Sequence, residues 1–256
     1  MQSLFSSGRV AFVASVAAFL GLGTMLYWAS RPPGTGPSSE PVVVLCADSL
    51  RAPLEVIAAA YEKEMGQKVE LRVGSSQSLL AQLDLTKSGD IYLPADDSFL
   101  ALARKKDLIR ETMPLATMQA VVVANPKARP IATWADFVNP EIELVLGNVE
   151  STAIGKLTRE SLTKKNLWKQ IEKRKPAFQG KISEVASAAM INPRGAGIVF
   201  DAVAETYPSL KIVRLPELDG IVANVALAVT SISKQPTQAL RFARFIAAKD
   251  RGLVEL

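Results

Sequence analysis

VVVLCADSLRAPLEVIAAAYEKEMG, residues 42–66, decides the fold. Val42 to Cys46 is a continuous apolar run, the pattern of a strand covered on both faces. Leu50, Leu54, Ile57, Ala58, Tyr61 and Met65 then recur at helical spacing, and Gly66 ends the helix. Pro53 falls in the first turn, where its missing N–H does no harm. The unit repeats. Val69 to Val73 alternates apolar and charged residues, as an outer strand would, and Leu79, Leu80 and Leu83 mark the next helix. Asp90 to Leu93 is a third strand and Phe99 to Leu108 a third helix. This βαβαβα order implies a parallel sheet wound with helices.

A second series follows the strongly β-like Met118 to Ala124. It reads as helix (Trp134–Phe137), strand (Leu144–Gly147), helices (Ile154–Thr163, Asn166–Lys173, Val185–Ile191) and strand (Gly197–Phe200). Strands at Leu210–Leu215 and Ile221–Thr230 and a helix at Pro236–Ala248 complete it. The expected class is α/β in two lobes: residues 42–120 with 222–256, and residues 121–221. Two extended crossings form a hinge, with a ligand between the lobes.

Three segments place small or hydroxyl-bearing residues where a helix begins. They are Cys46-Ala47-Asp48-Ser49-Leu50, Val73-Gly74-Ser75-Ser76-Gln77 and Ser151-Thr152-Ala153-Ile154-Gly155-Lys156. A helix start carries unpaired N–H groups and about half a positive charge, so it binds anions. One such serine is ordinary capping. Three starts facing one cleft make a cage for a small oxyanion.

The chain has no histidine, which excludes Ser-His and Cys-His nucleophilic systems and histidine-based zinc sites. Its single cysteine, Cys46, allows no internal disulfide and reads as a buried small hydrophobe. The charge of +5 is small and scattered. Arg104-Lys105-Lys106 and Lys173-Arg174-Lys175 lack interleaved aromatics, so no nucleic-acid partner is expected. Asp90, Asp96 and Asp97 lie close in sequence but read as a strand edge, a turn and a helix cap, and no enzyme activity or metal is expected.

Val10 to Ala29 is an uncharged, mostly apolar run, preceded by Arg9 and closed by Tyr27 and Trp28. As a helix it would span about 30 Å, and signal cores run about 7–15 residues. Residues 1–30 are read as an uncleaved signal anchor, with a cleaved signal peptide as the rival; both export the rest of the chain. Residues 31–41, RPPGTGPSSEP, form a flexible linker. The body is therefore expected on the periplasmic or extracytoplasmic face, held to the inner membrane by residues 10–29 or released.

CADSLRAPLEVIAAAYEKEMGQKVEL, RVGSSQSLLAQL, GDIYLPADDSFL, GNVESTAIGKLTRESL and GAGIVFDAVA stand in the order and spacing of a known family. The chain resembles the periplasmic molybdate-binding proteins of ABC importers, with the type 2 periplasmic-binding-protein fold, from about Val42 onward. The resemblance implies a bound molybdate or tungstate, no cofactor, and an ABC permease as partner. It places serine ligands at Ser49 and Ser76, with Ser75 adjacent, and backbone N–H contacts at Ile154 and Val185. A tyrosine hydroxyl falls at Phe200, which has none. Asp48 beside Ser49 would repel a dianion if it faced inward, and is expected to point outward or cap the helix. Lys156 could offset it, though solvent exposure is its expected fate. The alternative is a membrane-anchored sensory or diverged module for another anion such as sulfate or thiosulfate. Relatives usually continue a little past the position of Leu256.

Overall fold

The computed structural model describes residues 40–254. The apolar run at 10–29 and the linker up to residue 39 lie outside them. Among the described residues no helix is long and apolar enough to cross a membrane.

The first series folds in the order read, with two local differences. The third helix stops at Lys105, three residues before the expected Leu108, where Asp107 turns to φ 54°, and the entry to the first helix is wound differently. Strand β1 (Val42–Ala47) leads into a 3-10 turn, Asp48–Leu50, and only then into helix α1 (Arg51–Met65). An α-helix begun at Ser49 would need the N–H of residue 53, which is proline. The entry therefore winds tighter, and Arg51 N–H closes on the Asp48 carbonyl. Gly66, in the left-handed region at φ 67°, ends α1. Strand β2 (Val69–Gly74), helix α2 (Ser76–Thr86), strand β3 (Ile91–Leu93) and helix α3 (Ser98–Lys105) follow.

Strand β4 runs from Ile109 to Ala124, nine residues earlier than its apolar half suggests. Pro114 and charged neighbours hide its first half. That half pairs with β9 through register shifts on either side of Thr112–Pro114, where the irregular ladder tolerates proline. The chain continues through α4 (Trp134–Phe137), β5 (Glu143–Gly147), α5 (Ala153–Lys164), α6 (Trp168–Lys173) and β6 (Ala177–Gln179). Then come α7 (Ile182–Ile191), β7 (Gly195–Phe200), α8 (Asp201–Glu205), β8 (Lys211–Val213), β9 (Val222–Thr230) and α9 (Pro236–Ile246).

The sheet is mixed rather than parallel throughout. Its order is β2-β1-β3-β9-β4-β7-β5-β6, with β8 also on β4. The β1–β2, β1–β3, β5–β6 and β5–β7 pairs are parallel, as βα units require. The two parallel groups are joined by β4 and β9, which run antiparallel to each other and to their outer neighbours β7 and β3. These are the two extended segments expected as crossings.

Register places the site. Ala47 pairs with Gly74 and Cys46 with Leu93, so β1, β2 and β3 end at one level. Gly147 pairs with Gln179, and Val145 with Gly197, so β5, β6 and β7 also end together. Ligands of open α/β sheets sit outside such carboxyl ends. Behind β1 the core is closed: Val42, Val44, Leu45 and Cys46 are fully buried. The Tyr61 ring of α1 packs against α9, its centre 4.7 Å from that of a tilted Phe242 and 5.1 Å from that of an edge-on Phe245.

Candidate oxyanion site

A small cavity lies where these strand ends meet, lined by Asp48, Ser49, Ser75, Ser76, Ile154 and Phe200 among others. Its free interior is about 20 Å³, little more than a single water needs. Five of the six expected site residues therefore share one space. The sixth, Val185, does not line it. Helix α7 begins at Ile182, one turn before the expected start at Val185, and it is Lys181 and Ile182 that reach the cavity. The Val185 side chain is wholly buried and faces β7, where a Cβ on Gly197 would meet it at 2.7 Å.

The serines differ in what their hydroxyls do. Ser49 Oγ is buried and has no hydrogen-bond partner, with the residue only 7% exposed. Such a group costs about 1–3 kcal/mol unless something in the cavity pairs with it. Ser76 Oγ accepts the Ala95 N–H at 3.1 Å, which leaves its own proton free to donate. Tyr92 O–H donates to the Ser76 carbonyl at 2.8 Å and fixes that turn. Ser75 lines the cavity as the N-cap of α2. Its oxygen accepts the Ser78 N–H at 3.2 Å, and Ser78 Oγ, 2.8 Å away, returns a bond to the Ser75 carbonyl. The Ser75 hydroxyl is thus held within its own cap.

The third helix start is built by close approach. Thr152 caps α5: its Oγ1 accepts the Gly155 N–H at 3.1 Å and donates to the Asn148 carbonyl at 2.8 Å. Ala153 and Ile154, the first two residues of α5, carry N–H groups with no intrahelical acceptor. Glycine is required at two points here. A Cβ on Gly155 would lie 2.3 Å from the Gly147 carbonyl oxygen, and one on Gly147 would lie 2.5 Å from Thr152 Oγ1.

Three contacts join the two sets of strand ends around the cavity. Gln77 N–H donates to the Ser151 carbonyl at 3.2 Å. Ser183 N–H, at the start of α7, donates to Asp48 Oδ2 at 2.9 Å. Lys156 Nζ donates to Ser98 Oγ at 2.9 Å and lies 5.3 Å from the Phe99 ring centre. Asp48 therefore does cap a helix, but a helix across the cleft, while still lining the cavity. Lys156 is half-buried rather than solvent-exposed, and its charge is directed at α3.

Phe200, 1% exposed, presents an apolar wall. Tyr207, on the turn after α8, does not replace the missing hydroxyl: its oxygen lies 3.2 Å from both the Ser183 carbonyl and Ser187 Oγ. Asp90, Asp96 and Asp97 are not among the lining residues. Asp90 accepts from Val43 N–H, Ser233 Oγ and Gln235 Nε2, and Asp96 from the Ser98 and Asn224 N–H groups, so both serve the fold.

The sequence matches the description "Bacterial extracellular solute-binding protein" over residues 42–251. The molybdate-binding protein ModA of Mycobacterium tuberculosis is 27% identical over 228 residues, covering 86% of this chain and 84% of that protein. A putative ABC transporter substrate-binding lipoprotein of Bacillus subtilis, YvgL, is 26% identical over 208 residues, covering 79% of this chain and 78% of that protein. Among solved structures, the periplasmic molybdate-binding protein of Azotobacter vinelandii superposes with a TM-score of 0.72 at 15% identity. It covers 84% of this chain and 95% of that one, and bears on the fold alone. With most of its length matched, the chain belongs to the bacterial extracellular solute-binding protein family.

Proposed function

We propose that this protein is an extracytoplasmic receptor that captures a small tetrahedral oxyanion, molybdate or tungstate, and delivers it to the permease of an ABC importer. One observation carries the reading: a buried, unpartnered Ser49 Oγ at a small cavity surrounded by the 3-10 turn before α1 and the starts of α2, α5 and α7. An anion stripped of water needs several fixed neutral donors, and serine hydroxyls with helix-start N–H groups supply them without a reorganisation cost. The donors are Ser49 and Ser76 through their hydroxyls, and Ile154 and Ile182 through their N–H groups. The family and the molybdate-binding relatives support this ligand class.

In this reading residues 42–120 with 222–256 form one lobe and 121–221 the other, with β4 and β9 as hinge crossings. Residues 10–29 anchor the receptor to the inner membrane or are cleaved on export. The protein binds and releases its ligand unchanged; it is not an enzyme.

Phe200 and Asp48 favour a second reading, a diverged or sensory module for another anion such as sulfate or thiosulfate. One experiment separates the two: calorimetric titration of the purified protein with molybdate, tungstate, sulfate, thiosulfate and phosphate. The first reading requires the tightest binding for the first two. Heat with none of the five would end both.

A further inference from the structure

Asp48 lines the cavity, and its carboxylate reaches the start of α7 beside the lining residues Lys181 and Ile182. It also consumes a donor there. Its Oδ2 accepts from Ser183, the second residue of α7, whose N–H belongs to the group that a helix leaves without internal acceptors. The helix start thus already holds a tethered anion. Asp48 also lines a neighbouring space, shared with Ser49, Ser183 and Tyr207.

The nearby cations are engaged elsewhere or exposed. Lys156 donates to Ser98 Oγ at 2.9 Å, and Arg51, exposed, pairs with Glu55 at 2.8 Å and feels Asp48 only more weakly. Lys181 lines the cavity but is exposed, where its charge is screened by solvent. Among the described residues no lysine or arginine forms an ion pair with Asp48. A ligand in the cavity therefore meets a fixed negative charge that its donors must outweigh.

We infer that Asp48 sets the charge selectivity of the cage, lowering its preference for a doubly charged tetrahedral oxyanion relative to a singly charged one of the same shape. This rests on the reading of the cavity as an oxyanion site. Tungstate and perrhenate are suitable probes, being tetrahedral MO4 ions one charge apart.

The test is calorimetric titration of the full-length protein and its Asp48→Asn variant with each probe. Asparagine retains an oxygen to accept the Ser183 N–H and removes the charge, while placing an NH2 donor where the other carboxylate oxygen stood; Asp48→Ser, which lacks that amide, separates the two effects. The ratio of tungstate to perrhenate affinity is expected to rise about tenfold or more in the variant, the scale on which neighbouring like charges shift an equilibrium. Asp48→Ser, also neutral and able to accept, serves where the asparagine variant does not fold. Binding of tungstate by the neutral variant alone supports the proposal. A ratio unchanged within twofold while both anions bind overturns it and leaves the oxyanion reading standing. Binding of neither anion by any form overturns both.

Discussion

The Ala95 N–H donates to Ser76 Oγ at 3.1 Å, whereas Ser49 Oγ, lining the same cavity, has no partner at all. The two hydroxyls expected to hold the ligand thus have different structural duties. Ser49→Ala removes a buried polar group with nothing to lose in the ligand-free protein. It is expected to leave the unliganded melting temperature unchanged or raised, while oxyanion affinity falls by about 1–3 kcal/mol. Ser76→Ala also strands the Ala95 N–H, so it should lower both stability and affinity, each by about 1–3 kcal/mol. Thermal melts and calorimetry on the two variants check this. Equal destabilisation by both would show that Ser49 is held by the fold rather than reserved for a ligand.

Phe200 offers a gain-of-function prediction. Its ring is buried in the cavity wall, so the hydroxyl of a Phe200→Tyr variant enters the cavity or stays buried beside it. Without ligand that hydroxyl lacks a partner and should lower stability by about 1–3 kcal/mol. With an oxyanion bound it donates to a charged acceptor, a bond of about 1.5–3 kcal/mol. The shift in melting temperature on adding molybdate should therefore be larger in the variant than in the wild type. A smaller shift would place the ring's para position away from the ligand.

Much of this architecture is written locally in the chain. Strand β1, its turn and α1 are legible because apolar runs, helical spacing and Gly66 all fall within one short window. Ser49, Ser76 and Ile154 are legible for the same reason, each standing at a strand-to-helix junction. Other features depend on distant partners. Strand β6 has only three residues and is defined by pairing with β5. The first half of β4 is defined by β9, more than a hundred residues on. The start of α7 is hidden because Lys181, its N-cap, is not a usual capping residue; Glu184, whose carboxylate accepts the Lys181 N–H at 3.1 Å, was the available signal. The Asp48–Ser183 bond spans 135 residues, and no local pattern announces it.

Cys46 gives a pH prediction. Burial, and then the charges of Asp48 and Glu55, push its thiol well above the ordinary range. The unfolded thiol ionises near pH 8.5 while the folded one keeps its proton. Above that pH the unfolded state binds fewer protons, so stability falls as pH rises, by up to about 1.4 kcal/mol per pH unit from this group. Denaturant melts between pH 8 and 10 should show this slope in the wild type and a shallower one in Cys46→Ala. A disulfide reagent should label Cys46 only when the protein is unfolded. Rapid labelling of the native protein would contradict the burial on which the argument rests.

Gly155 is the point at which packing and binding are hardest to separate, and the prediction is correspondingly strong. The first turn of α5 lies so close to the end of β5 that a Cβ on Gly155 would fall 2.3 Å from the Gly147 carbonyl oxygen and 2.5 Å from that of Asn148. Both obstacles are backbone, so the helix must move rather than a side chain rotate. Overpacking of this kind costs about 1–3 kcal/mol or more. The displacement carries the Ile154 N–H with it, and hydrogen bonds to a charged ligand weaken steeply with distance and angle. Gly155→Ala should therefore lose stability in urea melts and, where it still folds, bind molybdate at least about tenfold more weakly. Gly220→Ala is the comparison: Gly220 has positive φ, 81°, and nothing within 4 Å of a Cβ. It should lose stability through backbone strain while keeping its affinity. Loss of affinity in both variants would mean that global stability, rather than the placement of α5, governs binding.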